Sequence, residues 1–390
     1  MTAAVLLLGA VVETGLDRVA TGRDEELRGK RLGLLCHAAS VTREGRHAID
    51  VLRARGLDLR RVFAPEHGLR GTLAAGEEVR DGRDAASGLP VVSLYGRRTR
   101  PSTEDLRDVD VLVVDLQDAG VRFYTYASTM LLALEAALEN GRAVVILDRP
   151  NPLGGECVEG PVSDPPEQVP RSLVNRTPGP LVHGLTLGEM ARLVAGGPRL
   201  AVVPLRGWRR RMTWNDTGLP WAPPSPNLRS AEAALAYPGT CLIEATNLSE
   251  GRGTEAPFLL LGAPWLAPGV VRDVEAARWG FDLDSASFMP KASPAAPAPK
   301  YSGQVCRGLR VQVRDAGRAR PYAFGIALLA ALRNQPGFAW REEGRVLDRL
   351  LGSGRPRAGL EAGRTVEEIL ASDEDGIRVF RKEREKALLY

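Results

Sequence analysis

Glu66 and His67 are the adjacent pair of side chains in this sequence best suited to chemistry. Pro65 stiffens the approach to the pair, and Gly68 lets the chain turn away directly after it. A carboxyl group on such a turn can lie close to a ligand, and partial burial would raise its pKa enough for it to serve as a general acid. The alternative is structural, with Glu66 capping a backbone amide or pairing with an arginine.

Two histidines are further candidates. His67 can orient Glu66, transfer protons or bind a substrate hydroxyl, and we predict that it belongs to the catalytic pair. His183 precedes Gly184 and a predicted helix start, and we predict a ligand contact there. For both side chains the alternative is a purely structural role in fixing a loop.

Polar clusters follow two more strand-like runs. One begins at Asp115 and the other at Asp148. If the strands are parallel, both clusters and Glu66 meet at one edge of the sheet, where ligands of open α/β sheets bind. The side chains singled out in these two clusters are Asp118, Arg122, Tyr124, Tyr126 and Asn151.

The second half of the chain contributes a dense polar loop over residues 244–254. Arg252 stands between two glycines, so it has open space and can pair with a carboxylate through two parallel hydrogen bonds. An ordinary interdomain salt bridge is the alternative for Arg252. The other candidates from this half are Asn227, Glu244, Asn247 and Glu250.

The elements that must position these residues alternate between strands and helices. Residues 109–115 form a nearly continuous apolar run, which is typical of a strand buried on both faces of a parallel sheet. The pattern predicts strands over 30–36, 59–63, 90–95, 109–115 and 143–148, and helices over 47–55, 126–140 and 186–194. This rhythm favours an α/β fold with a Rossmann-like, mostly parallel sheet.

A chain of 390 residues exceeds the size of a single core, so we predict two domains, at 1–230 and 231–390. Residues 285–302 are rich in Ala, Pro and Ser and predict a long surface connection. Thr365 and Glu368 predict a capped helix start, and residues 373–389 predict a charged amphipathic helix.

Composition narrows the class of function. The net charge of +4 comes from scattered residues, and only 5% of the chain is aromatic, so we expect no nucleic-acid partner. The four cysteines are far apart and no G-x-G-x-x-G or P-loop occurs, so we expect neither a metal nor an organic cofactor. Residues 3–12 are apolar but too short to span a membrane, and no Lys or Arg precedes them. They predict a first strand, and we expect a cytoplasmic protein without a membrane span.

Taken together, these motifs resemble the NamZ family of exo-β-N-acetylmuramidases, formerly a domain of unknown function. The resemblance spans most of the chain in family order, and the combination is more specific than any one piece. The matching segments, by sequence letters, are PEHG at 65–68, DLQDAGVRFYTY at 115–126, DRPNP at 148–152, EGP at 159–161, HGLT at 183–186, PSPN at 224–227, YPGT at 237–240 and the loop at 244–254. One departure lies at residues 36–39, where the sequence CHAA replaces an expected Asn-containing turn.

The resemblance implies a Rossmann-like catalytic domain, a smaller α+β domain that completes a cleft, and release of N-acetylmuramic acid (MurNAc) from non-reducing ends of peptidoglycan fragments. It makes Glu66 the catalytic glutamate and MurNAc-containing muropeptides or disaccharides the partners. Arg252 or Arg122 would bind the lactyl carboxylate. One face of the sugar would lie against Tyr124 and Tyr126. Amide and hydroxyl groups of the substrate would contact Asn151, Asn227 and Asn247.

A glycosidase normally uses two carboxyl groups, and the second is left open among Asp118, Glu244 and Glu250, with the substrate's own acetamido group as another choice. A non-catalytic, two-lobed sugar-binding protein is the alternative function. An esterase or amidase ranks lower, because no G-x-S-x-G or S-x-x-K motif occurs.

Overall fold

The computed structural model describes residues 11–267, 269 and 274–390. The strand predicted over residues 3–12 lies almost wholly outside the described residues, so it stays a prediction, as does the expected location in the cytoplasm.

A seven-stranded sheet forms the larger part of the molecule. Neighbouring strands are parallel throughout, except for one antiparallel pair at an edge, β3 with β4. The strands are β1 (Arg31–Cys36), β2 (Asp58–Ala64), β3 (Gly82–Arg83), β4 (Pro90–Ser93), β5 (Val111–Asp115), β6 (Ala143–Leu147) and β7 (Leu200–Val203), in the spatial order β3-β4-β2-β1-β5-β6-β7. The predicted mostly parallel sheet is therefore confirmed; the two edge strands β3 and β7 were not predicted.

Both faces of this sheet are covered by helices, which explains the apolar run of β5. Val111 and Val113 pack into one buried cluster with α1 (Gly15–Ala20) and α2 (Ala48–Ala54). Leu112 and Val114 alternate to the other face, where they pack with α3 (Thr125–Glu139) and α4 (Leu187–Val194). Because side chains alternate across a strand, burial of both faces demands apolar residues at every position.

The strand order reverses beside β1. The chain moves from β1 to β2 on one side and later returns to β5 on the other. Open α/β sheets bind ligands at the carboxyl edge near such a reversal. The residues that follow β2 and β5, including Glu66 and Asp118, therefore flank the end of β1.

The rest of the chain is a smaller α+β part, as predicted. Its antiparallel sheet has the order β8-β10-β9. The elements are α5 (Ala231–Thr240), β8 (Leu260–Ala263), β9 (Phe281–Phe288), β10 (Cys306–Val313), α6 (Pro321–Leu332), α7 (Arg345–Leu351), α8 (Arg355–Glu361), α9 (Val366–Ala371) and α10 (Glu374–Arg384). One apolar cluster runs without interruption from Phe63 and Met130 to Leu309 and Phe324, so both parts share a core.

Several local predictions can be compared with these elements. Thr186 with Glu189 and Thr365 with Glu368 form the two predicted capping boxes. The surface connection predicted over 285–302 is wrong at its start, because residues 285–288 pair with β10 as the end of β9. The domain boundary at residue 230 stays a prediction. In the part of the chain that the structure describes, no helix is both long and apolar enough to cross a membrane.

Gly325 and Gly239 let α6 and α5 cross closely, and Gly325→Ala is expected to lower the free energy of unfolding by about 1–3 kcal/mol. A Cβ at residue 325 would lie 2.6 Å from the Cα of Gly239, so the helices must separate. Chemical denaturation measures the change. Gly317→Ala is the control, because its Cβ meets its nearest neighbour at 3.6 Å. Equal stability of the two variants would contradict this account.

Candidate active site

Glu66 follows β2 and faces a cleft with about 610 Å³ of empty space. The residue is 9% exposed. Oε1 accepts a hydrogen bond from the backbone N–H of Gly76 at 3.0 Å, and Oε2 accepts one from the Thr125 hydroxyl at 2.8 Å. Glu66 therefore accepts a hydrogen bond from a backbone amide, as its structural interpretation predicted, and its carboxyl group also faces the cleft.

We call this space the inner cleft and define it by its lining residues. They are Glu66, His67, Ala75, Tyr95, Phe123, Tyr124, Thr125, Val174, Ser225, Tyr237, Cys241, Glu244, Arg252, Phe258 and Leu350. Glu66, His67, Tyr124, Glu244 and Arg252 are the predicted site residues that the structure brings together here.

His67 is held in a left-handed backbone conformation with φ of 68°. Its Nδ1 lies 2.8 Å from the carbonyl oxygen of Leu73, which assigns the proton to Nδ1 and leaves Nε2 as an acceptor. Burial lowers the pKa of His67, and the charge of Arg252 lowers it further, while Glu66 and the Leu73 carbonyl oppose the shift. The imidazole is therefore neutral near neutral pH.

Two tyrosines lie next to the turn that carries Glu66. The Tyr126 hydroxyl lies 2.8 Å from the Pro224 carbonyl oxygen and 3.2 Å from that of Glu66, so it ties the turn to the second half of the chain. Tyr126 is fully buried beneath the cleft and is not among the residues that line it. Burial and the charge of Glu66 raise the pKa of Tyr95, whose hydroxyl stays protonated on the cleft wall.

Aromatic rings form one wall of the inner cleft. Tyr237 stands edge-to-face with Phe258 at a centroid distance of 4.6 Å, and Tyr124 with Tyr237 at 6.1 Å. Edge-to-face packing of this kind holds the rings in fixed orientations. The cleft that Glu66 lines is therefore also lined by rings held in fixed orientations.

Arg252 lies where the inner cleft opens outward. Its Nε lies 3.2 Å from Glu244 Oε1 and 3.3 Å from Glu250 Oε1, and its guanidinium stands 5.0 Å from the centroid of Phe258. Burial opposes the charge of Arg252, but the two carboxylates outweigh it and raise its pKa. Arg252 thus forms its ion pairs within its own loop, with Glu244 and Glu250, and not the interdomain salt bridge of the alternative interpretation.

Lys300 completes this group of charges. Its ammonium lies 3.1 Å from Glu250 Oε2 and donates to the carbonyl oxygens of Thr246 and Leu248 at 2.8 and 2.7 Å. It anchors the loop that carries Arg252. Lys300 could not be predicted from its local sequence, because its partners lie some fifty residues earlier in the chain.

A wider outer cleft, with about 1350 Å³ of empty space, continues from the inner one. The two share Ala75, Glu244 and Arg252. The outer cleft is lined by residues 74–77, Glu244, Glu250, Arg252, residues 295–300 and Arg341. The segment predicted as a surface connection thus provides one of its walls.

Arg122 is not at the cleft, which corrects its predicted role. Its guanidinium is fully buried and donates to the carbonyl oxygens of Pro161 at 2.9 Å, Gly179 at 2.6 Å and Leu351. The long side chain ties three backbone segments together. A substrate carboxylate has no access to it.

The three predicted amide contacts also serve the backbone. Asn151 donates to the Leu185 carbonyl at 3.0 Å, Asn227 to that of Ala295 at 2.8 Å, and Asn247 to that of Gly337 at 2.8 Å. None of the three belongs to the described lining of either cleft part. Their side chains hold loops around the site in place.

His183 and Asp118 likewise lie outside both lining sets. His183 Nδ1 accepts from the backbone N–H of Leu185 at 3.1 Å, and burial lowers its pKa to about 3. Asp118 accepts from the N–H of Gly120 at 2.7 Å. Burial raises the pKa of Asp118 to about 7, although backbone N–H groups oppose the shift.

The first residues of the polar clusters after β5 and β6, Asp115 and Arg149, meet each other, whereas Tyr124 from the cluster after β5 lines the inner cleft. Arg149 donates to both oxygens of Asp115, at 2.6 and 3.0 Å, and both side chains are buried. His37, where the sequence departs from the family pattern, is buried beside them and accepts from the backbone N–H of Gln117 at 3.0 Å. This rim therefore holds the sheet edge together.

Thr125, between two predicted site tyrosines, is a cleft residue that was not predicted from the sequence. It begins α3, and its hydroxyl contacts Glu66 from 59 residues away. Its place at the start of a strongly predicted helix was the available signal. Over the described residues, no group of three or more His, Cys, Asp or Glu side chains is arranged to hold a metal ion.

Comparisons with known proteins agree with this architecture. Residues 32–232 match the family model of the N-terminal domain of exo-β-N-acetylmuramidase NamZ, and residues 235–390 match that of its C-terminal domain. The chain is 39% identical over 388 residues to the peptidoglycan β-N-acetylmuramidase NamZ of Bacillus subtilis, covering 97% of this chain and 91% of that protein.

Two crystal structures of DUF1343 family proteins from Bacteroides fragilis share the fold. One superimposes with a TM-score of 0.86 at 29% identity, the other with 0.76 at 30%, and each comparison covers 97% of this chain and 99% of the other. The matches to both domain models and to a relative over nearly full length show that the chain belongs to the NamZ family of exo-β-N-acetylmuramidases.

Proposed function

We propose that this protein is an exo-acting β-N-acetylmuramidase that releases MurNAc from the non-reducing ends of peptidoglycan fragments. The observation that carries the proposal is the carboxyl group of Glu66, held by two hydrogen bonds and facing a cleft that the partly exposed Arg252 also lines. Family membership supplies the reaction class. MurNAc-containing muropeptides or disaccharides are the proposed substrates.

Glu66 is our general acid. The amide of Gly76 and the hydroxyl of Thr125 fix its two oxygens, so the carboxyl group keeps one orientation in the cleft. In the proposed step its proton passes to the glycosidic oxygen while the bond from that oxygen to the sugar's anomeric carbon breaks. His67, neutral and with Nε2 free to accept, is proposed to exchange protons with Glu66 between turnovers.

The choice of the second catalytic group depends on the contacts of the other acidic side chains. Asp118 lies outside the cleft lining, and Glu244 and Glu250 are engaged by Arg252 and Lys300. We therefore choose the acetamido group of the sugar as the internal nucleophile, which needs one strong acid and orienting contacts rather than two free carboxyl groups. Its oxygen bonds to the anomeric carbon as the leaving group departs; water, giving one proton back to the Glu66 carboxylate, then attacks that carbon, breaks the bond to the acetamido oxygen and yields free MurNAc.

The remaining walls suit the sugar itself. The rings of Tyr124, Tyr237 and Phe258 provide the apolar surface on which a sugar face can pack. Arg252 is the cation proposed to bind the lactyl carboxylate that distinguishes MurNAc from N-acetylglucosamine (GlcNAc). Tyr126 and Arg122 were also predicted to contact the substrate. Both are fully buried and neither lines the inner cleft, so we assign them no substrate contact.

Mass spectrometry of products from the disaccharide MurNAc-GlcNAc and from defined muropeptides tests the proposal. We expect free MurNAc from the non-reducing end of each accepted substrate. Calorimetric binding of the disaccharide without any product would instead support the non-catalytic sugar-binding alternative. Cleavage of an amide or ester bond with the glycosidic bond intact would support another class of hydrolase.

A further inference from the structure

The contacts of Arg252 use one side of its guanidinium. Glu244 Oε1 receives both Nε and Nη2, and Glu250 Oε1 lies near Nε. Together Nε and Nη2 form one of the two forks that a guanidinium can offer to a carboxylate. That fork is filled by the protein's own acid.

The other fork of Arg252 is open. Its two hydrogens belong to Nη1 and to the outer side of Nη2, and Nη1 makes no hydrogen bond with any residue that the structure describes. Arg252 lines both the inner and the outer cleft. A carboxylate in the cleft can therefore take this fork without displacing Glu244.

We propose that Glu244 is a specificity-determining positioning residue, which holds Arg252 by its Nε side, presents the open fork to the lactyl carboxylate, and with its own charge limits how tightly that carboxylate binds. The inference rests on the proposed function and assigns Glu244 a role other than the second catalytic carboxyl group. Glu244 acts through Arg252 and needs no contact with the reacting atoms.

The charges around Arg252 explain the limiting effect. Arg252 and Lys300 carry two positive charges, and Glu244 and Glu250 carry two negative ones, so these four side chains are formally neutral. Arg341, which donates to the Glu244 carbonyl oxygen at 3.0 Å, adds one positive charge on the wall of the outer cleft. A substrate carboxylate adds a third negative charge on the same guanidinium. Glu244, half-buried and bound to that guanidinium, therefore repels the ligand that it helps to position.

Two substitutions separate the positioning effect from the charge effect. In Glu244→Gln the amide oxygen still accepts from the Nε side of Arg252, but the negative charge is gone. In Glu244→Ala both the charge and the acceptor are lost, so the guanidinium is free to turn. Glu255→Gln is the matched control, because Glu255 is exposed, lies three residues from Arg252, and has no ion pair among the described residues.

The test compares kcat and KM of the full-length variants on two aryl β-glycosides, one of MurNAc and one of MurNAc with its lactyl carboxylate converted to the neutral amide. We expect Glu244→Gln to lower KM for the acid about threefold to tenfold, a range discounted for partial solvent screening. We expect Glu244→Ala to raise that KM about tenfold, through loss of the held fork. In both variants kcat on the acid, and KM for the amide, stay within about twofold of wild type, as does every parameter of Glu255→Gln.

Three outcomes overturn the inference. A kcat loss of about 100-fold or more on both glycosides in Glu244→Gln makes Glu244 a catalytic carboxyl group. An unchanged ratio of acid to amide KM in both Glu244 variants means that the open fork does not bind the carboxylate. A shift of that ratio in Glu255→Gln means that general charge, not the held fork, sets the selectivity. If wild type hydrolyses neither glycoside and releases no MurNAc from the disaccharide, the proposed function fails instead.

Discussion

Glu66→Gln is expected to lower kcat on MurNAc-GlcNAc at least about 100-fold, the lower end for removing a general acid. An amide cannot give up a proton to the glycosidic oxygen, so the leaving group departs unprotonated. Release of free MurNAc, measured over a fixed time course, gives kcat. KM is expected to change little, because the walls and Arg252 are untouched.

The variant is a clean one because glutamine can keep both contacts of Glu66. Its amide oxygen accepts from the Gly76 N–H, and its amide nitrogen donates to the Thr125 hydroxyl, which can also accept. We therefore expect the thermal midpoint of unfolding to stay close to that of wild type. A large loss of kcat in a protein of normal stability then reports on chemistry.

Glu139→Gln controls for the loss of one negative charge. Glu139 ends α3, its side chain is 62% exposed, and it pairs with Arg100 on the surface. Wild-type turnover is expected of this control. Wild-type turnover in Glu66→Gln as well would reject the role assigned to Glu66 and reopen the choice of acid within the inner cleft.

The parts of the fold that were predicted from the sequence are those with local signals. The apolar run of β5 predicted a strand covered on both faces, and Thr186 with Glu189 predicted the start of α4. Glu66 was found because its proline and glycine neighbours mark a turn directly after a strand. In each case the physical cause acts within a few residues, so the printed sequence contains it.

What could not be predicted depends on partners far along the chain. Arg122 and Arg252 were equal candidates for a carboxylate, yet the first is buried among carbonyl oxygens from residues 161, 179 and 351 and the second lines the cleft. The glycines beside Arg252 predicted open space around it, but nothing near Arg122 in the sequence predicted its burial. Only the packing of the second half against the first decides which guanidinium faces open space.

The residues directly after β5 and β6 show a third case. They were correctly predicted to lie together at the sheet edge, but they were also predicted to contact a ligand, and they contact each other instead. Asp115 and Arg149 do meet at the carboxyl edge of the sheet, yet they bind each other. We infer that this pair is structural, and that its removal affects the free energy of unfolding before it affects chemistry.

Asp115→Ala is accordingly expected to lower the free energy of unfolding by about 3–5 kcal/mol, the cost of leaving a buried charge without its partner. Arg149 is 5% exposed and would keep one contact, to the Val41 carbonyl oxygen at 3.0 Å. Urea denaturation followed by tryptophan fluorescence measures the change. Asp375→Ala is the control, since Asp375 and Arg378 are 88% and 78% exposed and such pairs contribute about 0–1 kcal/mol.

A double variant decides whether the loss of stability in Asp115→Ala comes from the unpaired charge of Arg149 or from any change at this position. Asp115→Leu with Arg149→Met removes both charges and fills the space with apolar atoms, and exchanges of this kind are often neutral. We expect the double variant to be more stable than Asp115→Ala and to retain hydrolysis of MurNAc-GlcNAc, because neither residue lines the inner or outer cleft. If the double variant is stable but inactive, Asp115 and Arg149 contribute to catalysis, because a purely structural role would leave the activity of a folded protein unchanged.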